Sequence, residues 1–215
     1  MTSPRRALVV VDVQQQYFDG ILEIRFPPHA ESLPMIVRAI DAAESAGIPI
    51  VVVQHSSGDG AAMFDPASPE FELHPDVAAR ATAAWKPITK SYSSVFAGTD
   101  LAVWLRERGI DTATIVGYMT NNCVLASAAD AEYVGFAIEV LSDATGAIDL
   151  ANDAGSADAR TVHEVLMTLL NSSWAGVTST SEWVDAVHAG SAIVGSDLGR
   201  SAAAGAAAAG RTGAR

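Results

Sequence analysis

The chain has 215 residues, 49% of them hydrophobic, with one cysteine and a formal net charge of −12. That length and apolar share suit one domain with a substantial core, while the acidity excludes the clustered Lys and Arg that nucleic-acid binding requires. A single cysteine excludes an internal disulfide, so a reducing cytoplasm is the expected setting.

The opening MTSPRRALVVVDVQ carries two arginines before an apolar run, but the run reaches Asp12 too soon to be a signal-peptide core or a membrane span. No membrane association is expected. Residues 7–13 (ALVVVDV) lack polar alternation and read as a strand buried on both faces, the signature of a parallel sheet. A helical pattern over 30–47 leads to a second such strand at 48–54 (IPIVVVQ). Residues 55–81 are polar, contain Gly and Pro, and are long for a loop, which points to a lid over a site or to an interface. After an extended KPIT comes Lys90, then a helix over 98–109, a strand over 112–118 (TATIVGY) and a helix over 122–135; both helices close on glycine. A strand over 136–144 (FAIEVLSDA) and a helix over 156–172 continue the alternation. This order predicts a three-layer αβα fold around an open, mostly parallel, doubly wound sheet, in one domain spanning residues 1–195. The Ala/Gly tail, 196–215, has no core-forming pattern and is expected to be disordered or at most transiently helical.

In an open α/β sheet, ligands bind beyond the carboxyl ends of the strands. Asp12 follows the first strand with Gln14 just after it, Lys90 follows KPIT, and Cys123 follows the strand at 112–118. An acid, an amine and a thiol suit an activated nucleophile: a helix N-terminus and a nearby cation lower a thiol's pKa, and Asp12 is placed to take a proton and return it. Taken singly, each has a structural reading: Cys123 as a small buried apolar residue, Asp12 as a cap or half of an ion pair, Lys90 as a surface lysine. Their convergence favours chemistry, because burying an Asp after four apolar strand residues is costly unless it is paired or working.

VVVDVQQQYF, KSYSSVFAGTDLAVWLRERGIDTATIVGYMTNNCV and GFAIEVLSDATGA together resemble the isochorismatase-like cysteine hydrolases, over roughly residues 6–188. That family includes nicotinamidases, N-carbamoylsarcosine amidase, ureidoacrylate amidohydrolase and streptothricin hydrolase. The resemblance implies a catalytic triad of Asp12, Lys90 and Cys123, a cis peptide at Tyr118–Met119, and an oxyanion hole formed by the Met119 and Cys123 amides. It implies hydrolysis of a small amide or ureide through a thioester, without a cofactor, in a protein that assembles as a homodimer or homotetramer. Met63, Phe64 and the segment around Trp174 and Trp183 are the expected interface residues. The Asp-x-His pattern with a further His that supplies metal ligands in nicotinamidases is absent from VVVQHSSGDGAAMF, where His55 and Asp59 stand, so no metal is expected. His74 reads as a loop anchor and His163 as structural. Gln14, Tyr17, Phe18, Trp85, Tyr92, Phe96 and Tyr118 are the expected substrate-binding residues, and Asn121 and Asn122 the expected helix-capping ones. Two other readings compete: a vinyl-ether hydrolase of the isochorismate type, and a non-catalytic ligand-binding or redox-reactive thiol protein on the same fold.

Overall fold

The computed structural model describes residues 3–210. Strands β1 (Arg6–Val11), β2 (Ile50–His55), β3 (Lys86–Lys90), β4 (Thr112–Tyr118), β5 (Ala137–Gly146) and β8 (Gly176–Thr178) form one sheet, and β6 (Leu150–Asn152) and β7 (Gly155–Ala157) form a separate hairpin. The sheet order is β3-β2-β1-β4-β5-β8, and every neighbouring pair is parallel.

The burial of β1 on both faces follows from its sequence, RALVVV. Successive strand side chains point to opposite sides, so Ala7, Val9 and Val11 enter one apolar cluster while Leu8 and Val10 enter another. The first cluster is closed by α3 (Leu101–Glu107), α4 (Leu125–Val134) and α5 (Ala159–Ser173), through Leu105, Ala128, Ala131, Met167 and Leu170. The second is closed by α1 (His29–Ser45) and α6 (Thr180–Ala189). In α1 the buried Leu33, Ile36, Ile40 and Ala43 recur every three or four residues and so share one face. The short α2 (Pro75–Ala78) lies outside this sandwich, in the excursion between β2 and β3. The expected three-layer αβα architecture is present. Among the described residues no helix is long and apolar enough to cross a membrane.

The strand order reverses between β1 and β4, the place in an open α/β sheet beyond whose carboxyl ends ligands bind. The two backbones approach so closely at Val11 and Gly117 that a Cβ on Gly117 would stand 2.1 Å from the Val11 carbonyl oxygen, and Gly117 has φ +104°. Only glycine fits. The β4–β5 register shifts between Ile115 and Gly117, a bulge that re-aims the chain leaving β4.

At the opposite end of the sheet Arg6 and Glu139, both buried, share two hydrogen bonds of 2.8 and 2.7 Å, and Thr114 Oγ1, Trp183 Nε1 and the Ile193 N–H also donate to that carboxylate. Trp183 is therefore an internal residue of the chain, contrary to its expected interface role, and Phe64 is likewise buried.

The tail expected to be disordered instead forms α7 (Leu198–Ala208). Asp197 caps it, accepting the Arg200 N–H at 2.8 Å and pairing with Arg200 Nε at 2.6 Å. Alanine is the strongest helix former, and this small-residue helix borders a cleft against Met167, Thr168 and Asn171 of α5. Residues 211–215 of the expected tail lie outside the described residues.

Candidate active site

Three strands deliver the three predicted groups to one end of the sheet. Asp12 follows β1 with φ 49°, a left-handed conformation that Asp tolerates, and its N–H donates to the Val53 carbonyl at 2.9 Å. Lys90 is the last residue of β3. Cys123 sits in a π-helical turn, Thr120–Val124, between β4 and α4.

Lys90 Nζ lies 2.7 Å from Asp12 Oδ2, with neither side chain exposed, and 3.2 Å from Cys123 Sγ. It also lies 3.2 Å from the Tyr92 carbonyl and 3.3 Å from His55 Nδ1. Three ammonium N–H groups thus face four acceptors, which fixes the cation at the centre of the cluster. The carboxylate makes no aligned hydrogen bond; its two oxygens and Asn121 Oδ1 are the buried side-chain polar atoms without a hydrogen-bond partner among the described residues.

Burial raises the Asp12 carboxyl above its ordinary value, against the opposing charge of Lys90. Burial, with the Asp12 charge adding to it, pushes the Cys123 thiol up to about 12 despite Lys90. Burial and the Asp12 charge thus oppose the lowering that the helix start and the cation would bring. Burial and the Lys90 charge pull His55 down to about 4, so its neutral ring accepts from Lys90.

The elbow is pinned from behind. Ser127 Oγ donates to the Cys123 carbonyl at 2.6 Å and accepts the Val95 N–H at 3.0 Å, while the N–H groups of Asn122 and Val124 donate to the Met119 carbonyl. The Tyr118–Met119 peptide is cis. The Met119 N–H has no acceptor among the described residues, and the Cys123 N–H has none outside its own turn.

The remaining expected residues divide. The Tyr17 ring stands beside the cluster: it is buried, 5.4 Å from the Phe64 ring and 5.8 Å from the Tyr118 ring, and the charges of Cys123 and Asp12 add to the burial that raises its phenol. Tyr118 forms a wall behind it, with its hydroxyl turned away to Ser32 Oγ at 2.9 Å. Phe18 is one layer further out, between His74, His29 and Tyr118.

Four expectations are corrected. Trp85 precedes β3, at the opposite end of the strand from Lys90, where its Nε1 donates to Glu44. Phe96 is a core residue stacked on Phe136. Tyr92 is 63% exposed, and it serves Lys90 through its main-chain carbonyl. The Gln14 side chain is committed elsewhere: its Nε2 donates to the His55 and Phe71 carbonyls and its Oε1 accepts the His55 N–H, while only its main-chain N–H, donating to the Asp12 carbonyl at 2.8 Å, holds Asp12.

Those Gln14 bonds fasten the excursion after β2 over the cluster. Gln54 Nε2 donates to the same Phe71 carbonyl, Gln16 Oε1 accepts the Phe64 N–H, and the His74 N–H donates to the Val13 carbonyl. Phe64, with φ 56°, lays its ring between Tyr17 and His55. Sequence reasoning placed Phe64 at an interface, because the segment around it reads as a polar loop with an isolated apolar residue. Among the described residues no group of three His, Cys, Asp or Glu side chains could hold a metal ion, and Asp59 is exposed.

The profile of the isochorismatase domain matches residues 6–180. The chain belongs to the isochorismatase family. It is 44% identical to an isochorismatase-type protein of Burkholderia xenovorans LB400, whose crystal structure superposes with a TM-score of 0.92 over 97% of this chain and 100% of that one. It is 31% identical over 172 residues to the nicotinamidase/pyrazinamidase of Mycobacterium tuberculosis, covering 66% of this chain and 87% of the relative. The structure of N-carbamoylsarcosine amidase from Thermoplasma acidophilum superposes with a TM-score of 0.65 at 25% identity, over 82% of this chain and 96% of that one. This isochorismatase-family hydrolase thus has amidases among its relatives.

Proposed function

We propose that this isochorismatase-family hydrolase cleaves the C–N bond of a small amide or ureide through a thioester on Cys123. One observation carries the reading: Lys90 Nζ stands 2.7 Å from the Asp12 carboxylate and 3.2 Å from the Cys123 sulfur, all three groups buried. A thiol, a carboxylate and a fixed cation in that arrangement can exchange one proton while the total charge of the cluster stays constant.

As Sγ attacks the substrate carbonyl carbon, its proton passes to Asp12, whose raised pKa makes it a better base than an exposed carboxylate. Lys90 offsets the negative charge in either location. The carbonyl oxygen, now an oxyanion, takes hydrogen bonds from the Met119 and Cys123 N–H groups. Asp12 returns the proton to the leaving nitrogen, the C–N bond breaks and ammonia or an amine departs. Water then attacks the thioester, giving a proton to Asp12; the C–S bond breaks, the sulfur regains the proton and the acid is released.

The names of relatives that act on amides support the same bond. While Asp12 Oδ2 faces Lys90 Nζ at 2.7 Å, Oδ1 has no hydrogen-bond partner, as a group needs if it is to receive a substrate N–H. The test is ammonia release from nicotinamide, N-carbamoyl amino acids and ureidoacrylate-like compounds, with intact-mass detection of an acyl adduct. The expected result is release by the native protein, none by Cys123→Ala, and an adduct on Cys123. Release that survives Cys123→Ala overturns the covalent route.

A further inference from the structure

We infer that His163 is a positioning residue for the catalytic elbow: from α5 it holds, through Thr120, the turn that carries Cys123. The inference rests on the amide-hydrolase reading for its kinetic consequence and on geometry alone for its mechanical one.

Thr120 opens the π-helical turn and is fully buried; its Oγ1 lies 3.0 Å from His163 Nδ1, across 43 residues of sequence. His163 is 4% exposed. The bond forms with either tautomer of the ring, Nδ1 accepting from the Thr120 hydroxyl or donating to it.

The ring is itself held. The Phe26 ring meets it edge-on at 5.6 Å, and Phe26 is fixed by hydrogen bonds in both directions with Ala147 and by the Arg160 guanidinium 4.0 Å above its face. A chain of ordered groups therefore runs from α5 and β5 into the elbow. The other bonds to the elbow described above come from Lys90 at the end of β3, from Ser127 on α4 and from within the segment itself. The His163–Thr120 bond ties the first residue of that turn to a different helix.

The consequence is registration. The Met119 and Cys123 amides and the Cys123 sulfur all belong to the segment that Thr120 interrupts. A displacement of the order of 1 Å in such a constellation costs on the order of a hundredfold in rate without contacting substrate. A packing histidine would show no such dependence on one nitrogen.

The test compares His163→Leu, which removes both ring nitrogens, with His163→Asn, whose Oδ1 can stand where Nδ1 stood. Thr120→Val removes the same bond from the other side. Three quantities are read on protein shown to be folded by circular dichroism: kcat and KM for the amide, and the rate of Cys123 alkylation by iodoacetamide without substrate.

The expected result is a kcat lowered roughly tenfold to a hundredfold in His163→Leu with KM within about threefold of native, and most of that loss recovered in His163→Asn. Adding Thr120→Val to His163→Leu should cost nothing further. The inference is overturned if the Leu and Asn variants lose kcat alike, or if His163→Leu keeps native kcat and alkylation. If His163→Leu does not fold, Thr120→Val decides the matter by the same readouts. If the native protein hydrolyses no amide, the reading of the reaction fails, while the alkylation series still decides the positioning role: a change in His163→Leu that His163→Asn restores supports it, and no change overturns it.

Discussion

Lys90 Nζ lies 2.7 Å from the Asp12 carboxylate with neither side chain exposed, so each charge offsets the cost of burying the other. Replacing Lys90 by Met leaves Asp12 buried without that cation. The expected loss in kcat/KM is roughly 10²- to 10⁴-fold, with a stability loss of about 3–5 kcal/mol, smaller where Asp12 escapes by binding a proton. Urea unfolding should therefore show a smaller deficit at acid pH than at neutral pH. Native kcat/KM in Lys90→Met would remove the ion pair from the reaction.

The same charges govern the thiol. With Cys123 pushed up to about 12, alkylation by iodoacetamide should keep accelerating from neutral pH into the alkaline range without levelling. The Asp12 charge is one of the causes of that rise, so Asp12→Asn should speed alkylation at a given pH while abolishing hydrolysis. Slower alkylation in Asp12→Asn, measured by intact mass against time, would contradict this account.

Acid stability follows from two histidines. His163 and His55 are pulled from 6.5 to about 4 in the folded protein, chiefly by burial. Between those values the unfolded chain binds protons that the folded chain refuses. The stability is thus fully present above the unfolded value and is lost as pH falls towards 4. His163 accounts for roughly 3 kcal/mol of that slope, and the half-exposed His55 for less after solvent screening. Urea midpoints should fall across this window, and His163→Asn should flatten the fall; an unchanged slope would assign it elsewhere.

Gly117→Ala should be among the most damaging single-methyl additions in the chain. The new Cβ would meet the Val11 carbonyl at 2.1 Å, at a backbone angle that L side chains rarely adopt. A loss of roughly 2–5 kcal/mol in urea unfolding is expected, together with lost activity, because Asp12 and Cys123 leave the sheet at that junction. Gly58→Ala, where no atom lies within 4 Å, is the control and should cost about 1 kcal/mol.

The strand pattern was legible because parallel strands are apolar on both faces, and from the strand ends followed the convergence of Asp12, Lys90 and Cys123. Trp85 shows what that reasoning omitted: a strand of five residues rises about 16 Å, so a side chain preceding Lys86 cannot share a site with Lys90. The burial of Cys123 was not legible, since its helix start was visible but its depth depends on the excursion folding over it. His163 and Phe64 reach the site through contacts between segments far apart in the chain, for which no local pattern exists. Alanine and glycine concealed α7, because they supply helix propensity without the large apolar residues that mark a packed face.

The cover over the cluster is latched by three glutamine amides, Gln14, Gln16 and Gln54, which grip the main chain at His55, Phe64 and Phe71. Carbonyls are common to all residues and N–H groups to all but proline, so the latch depends little on the side chains mounted on the segment it holds. A lineage can therefore exchange those side chains one at a time, retooling what the enzyme admits, while the fastening itself and the chemistry beneath it are inherited unchanged.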